Sequence, residues 1–141
     1  MTLPKWAPVL PLLAFIGLAD ALYLTAHHYL GFALACGPLS GCSTVTSSAY
    51  SIIFGVPVAL LGALYYLSMF FGFLFALEYQ SFTYFRIVCT LSLCGLFASV
   101  WFLFVMAFLL QAWCTYCLIS AATSLLLFGV SMYALRVTRS A

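Results

Sequence analysis

The fold of this chain is decided by an uncharged stretch that runs from Ile87 to Leu135 and reads IVCTLSLCGLFASVWFLFVMAFLLQAWCTYCLISAATSLLLFGVSMYAL. A helix crosses the hydrocarbon core of a bilayer with about 20 mostly apolar residues. The stretch is too long for one such span and has the length of two spans joined by a tight turn. Gln111-Ala112-Trp113 is the best position for that turn, because Trp and a polar amide favour the membrane interface.

Two further apolar stretches precede this one, and the whole composition is typical of an integral membrane protein. Hydrophobic residues make up 67% of the 141 residues and charged residues 4%, against about 25% charged residues in soluble domains. The four basic residues are scattered, which excludes a phosphate-binding surface and nucleic acid as a partner. We predict a single all-α domain over residues 1–141, a four-transmembrane-helix bundle with a cysteine-bearing outer loop between helices 1 and 2. The predicted spans are about 6–30, 53–77, 86–110 and 114–135.

The basic residues indicate how the bundle is oriented. With four spans, both termini and the loop at 78–86 lie on one side, and that side holds Lys5, Arg86, Arg136 and Arg139. Because cytoplasmic loops are enriched in Lys and Arg, we predict a multi-pass protein of the cell (inner) membrane with cytoplasmic termini and residues 31–52 on the periplasmic face. A cleaved secretory signal is the less favoured interpretation of the first span. The apolar core of such a signal is only about 7–15 residues long, which is shorter than this span.

Four of the six cysteines fall on this outer face, where disulfides persist. They are spaced as two pairs, Cys36 with Cys42 and Cys114 with Cys117. At the start of a helix, residues three apart share a face, so the last two sulfurs can meet. The helix N-terminus also stabilises a thiolate at Cys114. Thiols that only pack, or a zinc site with His27 or His28, are the alternatives.

The loop pair favours redox chemistry over packing. Two glycines and a proline lie between Cys36 and Cys42, so the segment can bend to close a disulfide or to swing. A mobile dithiol that faces a helix-anchored dithiol is what stepwise thiol–disulfide exchange requires. Two purely structural disulfides are the alternative. Cys89 and Cys94, inside the third span, are predicted to be inert packing residues.

Two motifs carry a resemblance to a known family. The first runs from Cys36 to Pro57, reads CGPLSGCSTVTSSAYSIIFGVP, and is followed by Gly62 and Tyr65; the second is WCTYC at 113–117. Both resemble the vitamin K epoxide reductase (VKOR) family. The resemblance covers essentially the whole chain, with both cysteine pairs in the family order. The bacterial members that it resembles are thiol oxidoreductases coupled to a quinone.

The resemblance implies a helix bundle around a quinone pocket and gives each cysteine of the two pairs a role. Cys117 would lie beside the quinone ring with Cys114 as its disulfide partner. Cys42 would exchange with Cys114, and Cys36 with Cys42 and a thioredoxin-fold protein. Many bacterial members carry a fused thioredoxin-like domain; this chain ends at Ala141, so we expect its partner to act in trans.

Further pocket residues are expected from the motif or because they flank the cysteines. The residues expected to contact the quinone are Ser48, Tyr50, Ser51, Phe54 and Trp113. Ala121 falls where animal members carry a tyrosine, which argues against vitamin K epoxide reduction.

The first span carries three polar residues that could take part in proton transfer. Asp20 is interpreted first as a protonated, hydrogen-bonded helix contact and second as part of a proton path. His27 and His28 are interpreted as solvated interfacial residues, with protonation of a quinone oxygen as the alternative.

The cysteine pairs predict a membrane thiol–disulfide oxidoreductase that supports disulfide-bond formation, with no metal, and the resemblance implies a quinone, ubiquinone or menaquinone, as its electron acceptor. Its expected partners are a thioredoxin-fold thiol protein, the quinone and membrane lipid. A quinone reductase of the disulfide-bond protein B type would place its C-x-x-C in the first outer loop, which is the reverse of the order here. A non-enzymatic transporter or assembly subunit with structural disulfides is the alternative from another class.

Overall fold

The structure, a computed structural model, describes residues 3–32 and 41–140. Its elements, in chain order, are α1 (Val9–Leu30), α2 (Cys42–Thr46), a 3-10 turn (Ala49–Ser51), β1 (Ile52–Ile53), β2 (Val56–Pro57), α3 (Val58–Tyr79), α4 (Phe82–Phe104) and α5 (Thr115–Ser140). The axis of α4 continues as a short π-helix over Val105–Leu109. Cys36 lies outside the described residues, and for Cys42 only the backbone is described.

Within the described residues, four helices are long and apolar enough to cross a membrane: Val9–Leu30, Val58–Tyr79, Phe82–Leu109 and Thr115–Ser140. Helix α1 packs against α3 and α5, and α4 packs against the same two helices. The four therefore close into a ring in which each helix has two neighbours. The predicted four-helix membrane bundle is confirmed.

The bundle turns its small side chains inward and many of its large apolar ones outward. Alanines lie fully buried at the helix contacts, among them Ala14, Ala76 and Ala134, whereas Phe15, Phe75 and Phe97 are exposed. In lipid there is no hydrophobic gain from burying a large side chain, and small residues let helix backbones approach closely. The outward aromatic residues are suited to contact acyl chains.

The span bounds differ from the predicted ones, most clearly for the second span. It was expected to begin at 53, but α3 begins at Val58 because residues 52–57 form a hairpin in which Ile52 pairs with Pro57. Phe54 and Gly55 form the turn of this hairpin with φ angles of 51° and 77°. An apolar hairpin has the composition of a helix start, so hydropathy alone does not separate the two. The third span begins earlier than expected, at Phe82, and the fourth extends to Ser140.

The bundle has two distinct ends. At the termini end, the backbone N–H of Leu3 donates to the side-chain oxygen of Gln80 in the α3–α4 turn, at 3.4 Å. At the other end, which we call the cavity end, α1 finishes at Leu30, α5 begins at Thr115, and the segment 41–57 covers the helices. The connection at the termini end is short, whereas the cavity end carries the irregular structure that can hold functional side chains.

Candidate redox site at the cavity end

Cys114 occupies the position immediately before α5, and its side chain is buried. Its carbonyl oxygen accepts the backbone N–H of Leu118 at 3.0 Å, so its backbone already belongs to the first helical turn. Its sulfur accepts hydrogen bonds from the Cys117 thiol and from the backbone N–H groups of Cys117 and Tyr116. These donors, the Cys117 thiol foremost, lower the pKa of Cys114 to about 7 even though burial opposes ionisation. The first cysteine of the C-x-x-C motif is therefore suited to react as a thiolate at neutral pH.

Cys117 lies one turn further along α5 and faces a different environment. It lines a cavity of about 380 Å³ that opens among α1, α3, α4, α5 and the segment 45–57, whereas Cys114 is not part of the cavity wall. Cys114 packs with Val45 of α2 and Met106 of the π-helix, and Cys117 packs against the same cluster. The two thiols are therefore in contact, and of the two only Cys117 lines the cavity.

A close backbone contact holds the covering segment against the start of α5. A Cβ atom on Gly41 would lie 2.6 Å from the backbone nitrogen of Trp113, so only glycine can come this close. Gly41 directly precedes Cys42 and Trp113 directly precedes Cys114. The contact therefore brings the backbones of the inner loop cysteine and the first helix cysteine to the same place, while Cys36 is outside the described residues.

The residues expected to contact a quinone divide into two groups. Ser48, Tyr50 and Ser51 line the cavity. The hydroxyls of Ser48 and Ser51 donate to nearby backbone carbonyls at 2.7 Å, which leaves their oxygen lone pairs to accept. Phe54 and Trp113 are not among the lining residues; Phe54 is fully exposed at the hairpin turn, and Trp113 is 40% exposed beside the contact with Gly41.

Sequence reasoning missed several cavity residues. Cys94, interpreted as an inert packing residue, lines the cavity together with Tyr65, Ser120 and Ser124. The spacing of Cys117, Ser120, Ala121 and Ser124 (i, i+3, i+4, i+7) could have indicated one helix face of small and polar residues. Tyr65 carried no such signal, because apolar residues surround it on every face of α3. Ala121 also lines the cavity.

Three polar residues of α1 approach the same end. One carboxylate oxygen of Asp20 is buried and has no hydrogen-bond partner among the described residues, so the expected helix contact through that oxygen is not seen. The carboxylate interacts electrostatically with both Cys114 and Cys117. His27 and His28 line the cavity, and Nδ1 of His27 is hydrogen-bonded to the carbonyl oxygen of Phe32. Because a carbonyl only accepts, Nδ1 of His27 is the donor in this hydrogen bond.

The sequence matches that of the vitamin K epoxide reductase family over residues 8–132. No curated protein matches the chain. The family match spans α1 to most of α5 and includes both cysteine pairs, the hairpin and the cavity. The chain therefore belongs to the vitamin K epoxide reductase family and is a multi-pass membrane oxidoreductase of the thiol–disulfide class.

Proposed function

We propose that this protein is a quinone-dependent thiol–disulfide oxidoreductase that re-forms disulfides in a thioredoxin-fold partner. Electrons enter at Cys36 and Cys42, pass to Cys114 and Cys117, and leave to ubiquinone or menaquinone. The observation that carries the proposal is the division of the C-x-x-C motif, with Cys114 buried against the covering segment and Cys117 in the cavity.

Each step of the proposed relay transfers two electrons and two protons. The partner's dithiol becomes a disulfide as the Cys36–Cys42 disulfide becomes a dithiol. That dithiol is reoxidised as the Cys114–Cys117 disulfide is reduced. The reduced helix pair returns to the disulfide as quinone becomes hydroquinone. A Cys114 pKa of about 7 favours this chemistry, because a low-pKa thiolate is both available at neutral pH and a good leaving group.

The cavity has the properties that a quinone requires. Its volume of about 380 Å³ lies within the range of small-molecule sites, roughly 300–1,000 Å³. Its wall is mainly aliphatic and aromatic, with a few hydroxyls, and it contains the Cys117 thiol. Ser48, Tyr50 and Ser51 would line the ring from the covering segment, and the Ser48 and Ser51 oxygens could accept hydrogen bonds from the hydroquinone product.

We further propose that the termini end faces the cytoplasm of the inner membrane and that the cavity end faces the oxidising periplasm. All four basic residues lie in the chain termini or beside the α3–α4 turn, and the segment 31–52 contains no Lys or Arg. A maleimide that cannot cross membranes should label reduced Cys36 or Cys42 from outside. Labelling from the cytoplasm alone would reverse the orientation.

The test of the activity is reconstitution of the purified protein with a reduced thioredoxin-fold protein and ubiquinone-1, followed by quinone absorbance. We expect quinone consumption that is lost in Cys114→Ala and in Cys117→Ala. Cys89→Ala is the matched control, because Cys89 is buried, does not line the cavity and belongs to neither pair. An active Cys114→Ala variant, or a wild-type protein that neither binds nor reduces quinone, would support the non-enzymatic alternative with structural disulfides.

The order of the relay needs a second experiment. Cys36→Ala should block turnover with the protein dithiol but preserve turnover with a small permeable dithiol. The small reductant can reach the helix pair directly, whereas a folded partner cannot. Equal loss with both reductants would contradict the proposed order.

A further inference from the structure

Two hydroxyl groups converge at one place in the cavity wall, on α3 and α5. A Cβ atom on Gly95 of α4 would lie 2.3 Å from the Tyr65 oxygen and 2.5 Å from the Ser124 oxygen, so it would overlap with both. Gly95 also lines the cavity, so the absence of a side chain there creates the space that both hydroxyls face. We call these three residues the hydroxyl pocket.

The hydroxyls of Tyr65 and Ser124 are close enough to interact with each other, and Ser124 also interacts with the Tyr66 hydroxyl. Neither forms a well-directed hydrogen bond with any residue that the structure describes. Ser124 is only 3% exposed, and the Tyr65 oxygen is also buried. Buried polar groups almost always have a hydrogen-bond partner. Tyr65 and Ser124 line the cavity, unlike the equally unpartnered Ser131, so a ligand in the cavity can supply the acceptor.

The position of the hydroxyl pocket relative to Cys117 defines what the ligand can be. Ser124 follows Cys117 by seven residues, which is two turns on the same face of α5 and about 10 Å along the axis. A single ring can bridge this distance if one edge meets the sulfur and a carbonyl oxygen on the other edge accepts from the hydroxyls.

We propose that Tyr65 and Ser124 donate hydrogen bonds to one carbonyl oxygen of the quinone and thereby orient the ring with its opposite edge towards Cys117. The inference rests on the proposed quinone-dependent function and adds to it two specificity-determining residues. The pocket selects rings that present an unblocked carbonyl oxygen. Ser120 does not share this role, because the Tyr66 hydroxyl already lies 2.7 Å from its backbone oxygen and 3.2 Å from its hydroxyl.

The test compares Tyr65→Phe, Ser124→Ala and the double variant with Ser131→Ala. Ser131 is a matched control because it lies on the same helix, is fully buried and also has an unpartnered hydroxyl, but is not a cavity residue. The probe is ubiquinone-1 with carbon-13 at its carbonyls. The readouts are its infrared carbonyl band in the bound state and its Kd from quenching of tryptophan fluorescence.

We expect each single variant to raise the Kd about fivefold to tenfold, as the loss of one hydrogen bond predicts. In the double variant, the low-frequency carbonyl band of the wild-type complex should move back towards the frequency of unbound quinone. Ser131→Ala should change neither readout. Tyr65→Phe keeps the ring, so a normal melting temperature for this variant separates a binding effect from a folding defect.

Two negative results are distinguishable. If wild-type protein does not bind ubiquinone-1, the proposed quinone-dependent function fails. If wild-type protein binds ubiquinone-1 and the double variant retains both the Kd and the carbonyl band, the hydroxyl pocket does not contact the ring. This conclusion holds whether or not a water molecule satisfies the two hydroxyls. A band that shifts equally in Ser131→Ala would also contradict the assignment.

Discussion

The two halves of α5 are built from similar residues but are packed in different ways. Near the cavity end, Cys117, Ala121 and Ser124 face open space, and the opposing residues on α3 and α4 include Gly62 and Gly95. Nearer the termini end, the α5 residues Leu127, Ser131 and Ala134 are fully buried in a bundle interior that also contains Met69, Phe73 and Phe85. We call these regions the open half and the packed half.

The halves differ in how completely the inward side chains fill the space between the helices. In the packed half, large side chains fill the space between the helices, as close packing requires. In the open half, Gly62, Gly95 and Ala121 lie among larger residues such as Tyr65 and Phe102, and the space beside these small residues stays unfilled. Because an unfilled cavity lowers stability, its presence beside a reactive cysteine pair indicates selection for binding rather than for stability.

The largest contrast should appear between Cys117 in the open half and Cys89 in the packed half. Cys117→Ala should reduce quinone turnover about a thousandfold or more with little change in melting temperature, because the helix disulfide can no longer form. Cys89 is buried and donates weakly to the backbone oxygen of Ser131 at 3.6 Å. Cys89→Ala should therefore cost about 1 kcal/mol of stability and leave turnover within about twofold.

The measurements are quinone-reduction rates in nanodiscs and thermal unfolding followed by circular dichroism. A Cys117→Ala variant that unfolds early, or a Cys89→Ala variant that loses turnover, would remove the functional distinction between the halves.

Adding side-chain volume should have opposite consequences in the two halves. A Cβ atom on Gly62 would meet only Ala21, at 3.8 Å, and Gly62 borders the cavity. Gly62→Leu should therefore occupy the cavity and raise the KM for ubiquinone-1 about tenfold or more without loss of stability. A Cβ atom on Gly72 would lie 2.7 Å from a methyl group of Val88. Gly72→Ala should destabilise the fold by about 1–3 kcal/mol and leave the KM unchanged.

The same kinetic and unfolding measurements check this pair of variants. Equal stability of Gly62→Leu and wild type, with the same KM, would mean that the cavity is not the quinone site.

The sequence predicted the packed half better than the open half. Four spans and their order followed from uncharged stretches such as Ile87–Leu135, because a run of about 20 apolar residues marks a span whichever way its helix faces point. The different positions of Cys114 and Cys117 relative to the cavity could be anticipated, because the two residues lie one helical turn apart. The hydroxyl pocket could not, because it depends on which faces of α3, α4 and α5 meet, and uniformly apolar helices carry almost no facial signal.

The reactivity of Cys114 should follow pH through neutrality. In the reduced protein, the rate of alkylation of Cys114 by iodoacetamide should rise about fivefold from pH 6 to pH 7 and level off above pH 8, because its pKa is about 7 and only the thiolate reacts. Site-resolved mass spectrometry measures the rate. Cys117→Ala removes the principal hydrogen-bond donor to this sulfur and should move the midpoint upward.

Ionisation of the Cys114 thiol also stabilises the reduced fold. Because the pKa of Cys114 is lower in the folded protein than its ordinary value of 9.0, ionisation stabilises the reduced fold fully above pH 9, and the contribution is lost as the pH falls through about 7. A Cys114 midpoint that stays at pH 7 in Cys117→Ala would assign the effect to the backbone N–H groups of the first turn of α5.

The smallest effect concerns two aromatic residues of the covering segment. Tyr50 lines the cavity, whereas Phe54 is fully exposed at the hairpin turn. Tyr50→Ala should raise the KM for ubiquinone-1 about threefold, because it removes part of the cavity wall. Phe54→Ala should leave the KM within about twofold, since no cavity surface is lost. Both variants are compared in detergent and in nanodiscs, because contact with lipid can hold the hairpin only in the latter. If Phe54→Ala raises the KM as much as Tyr50→Ala in detergent, Phe54 reaches the quinone and the hairpin moves over the cavity during turnover. If Phe54→Ala raises the KM in nanodiscs alone, Phe54 acts through the bilayer, and the open half is closed in part by lipid.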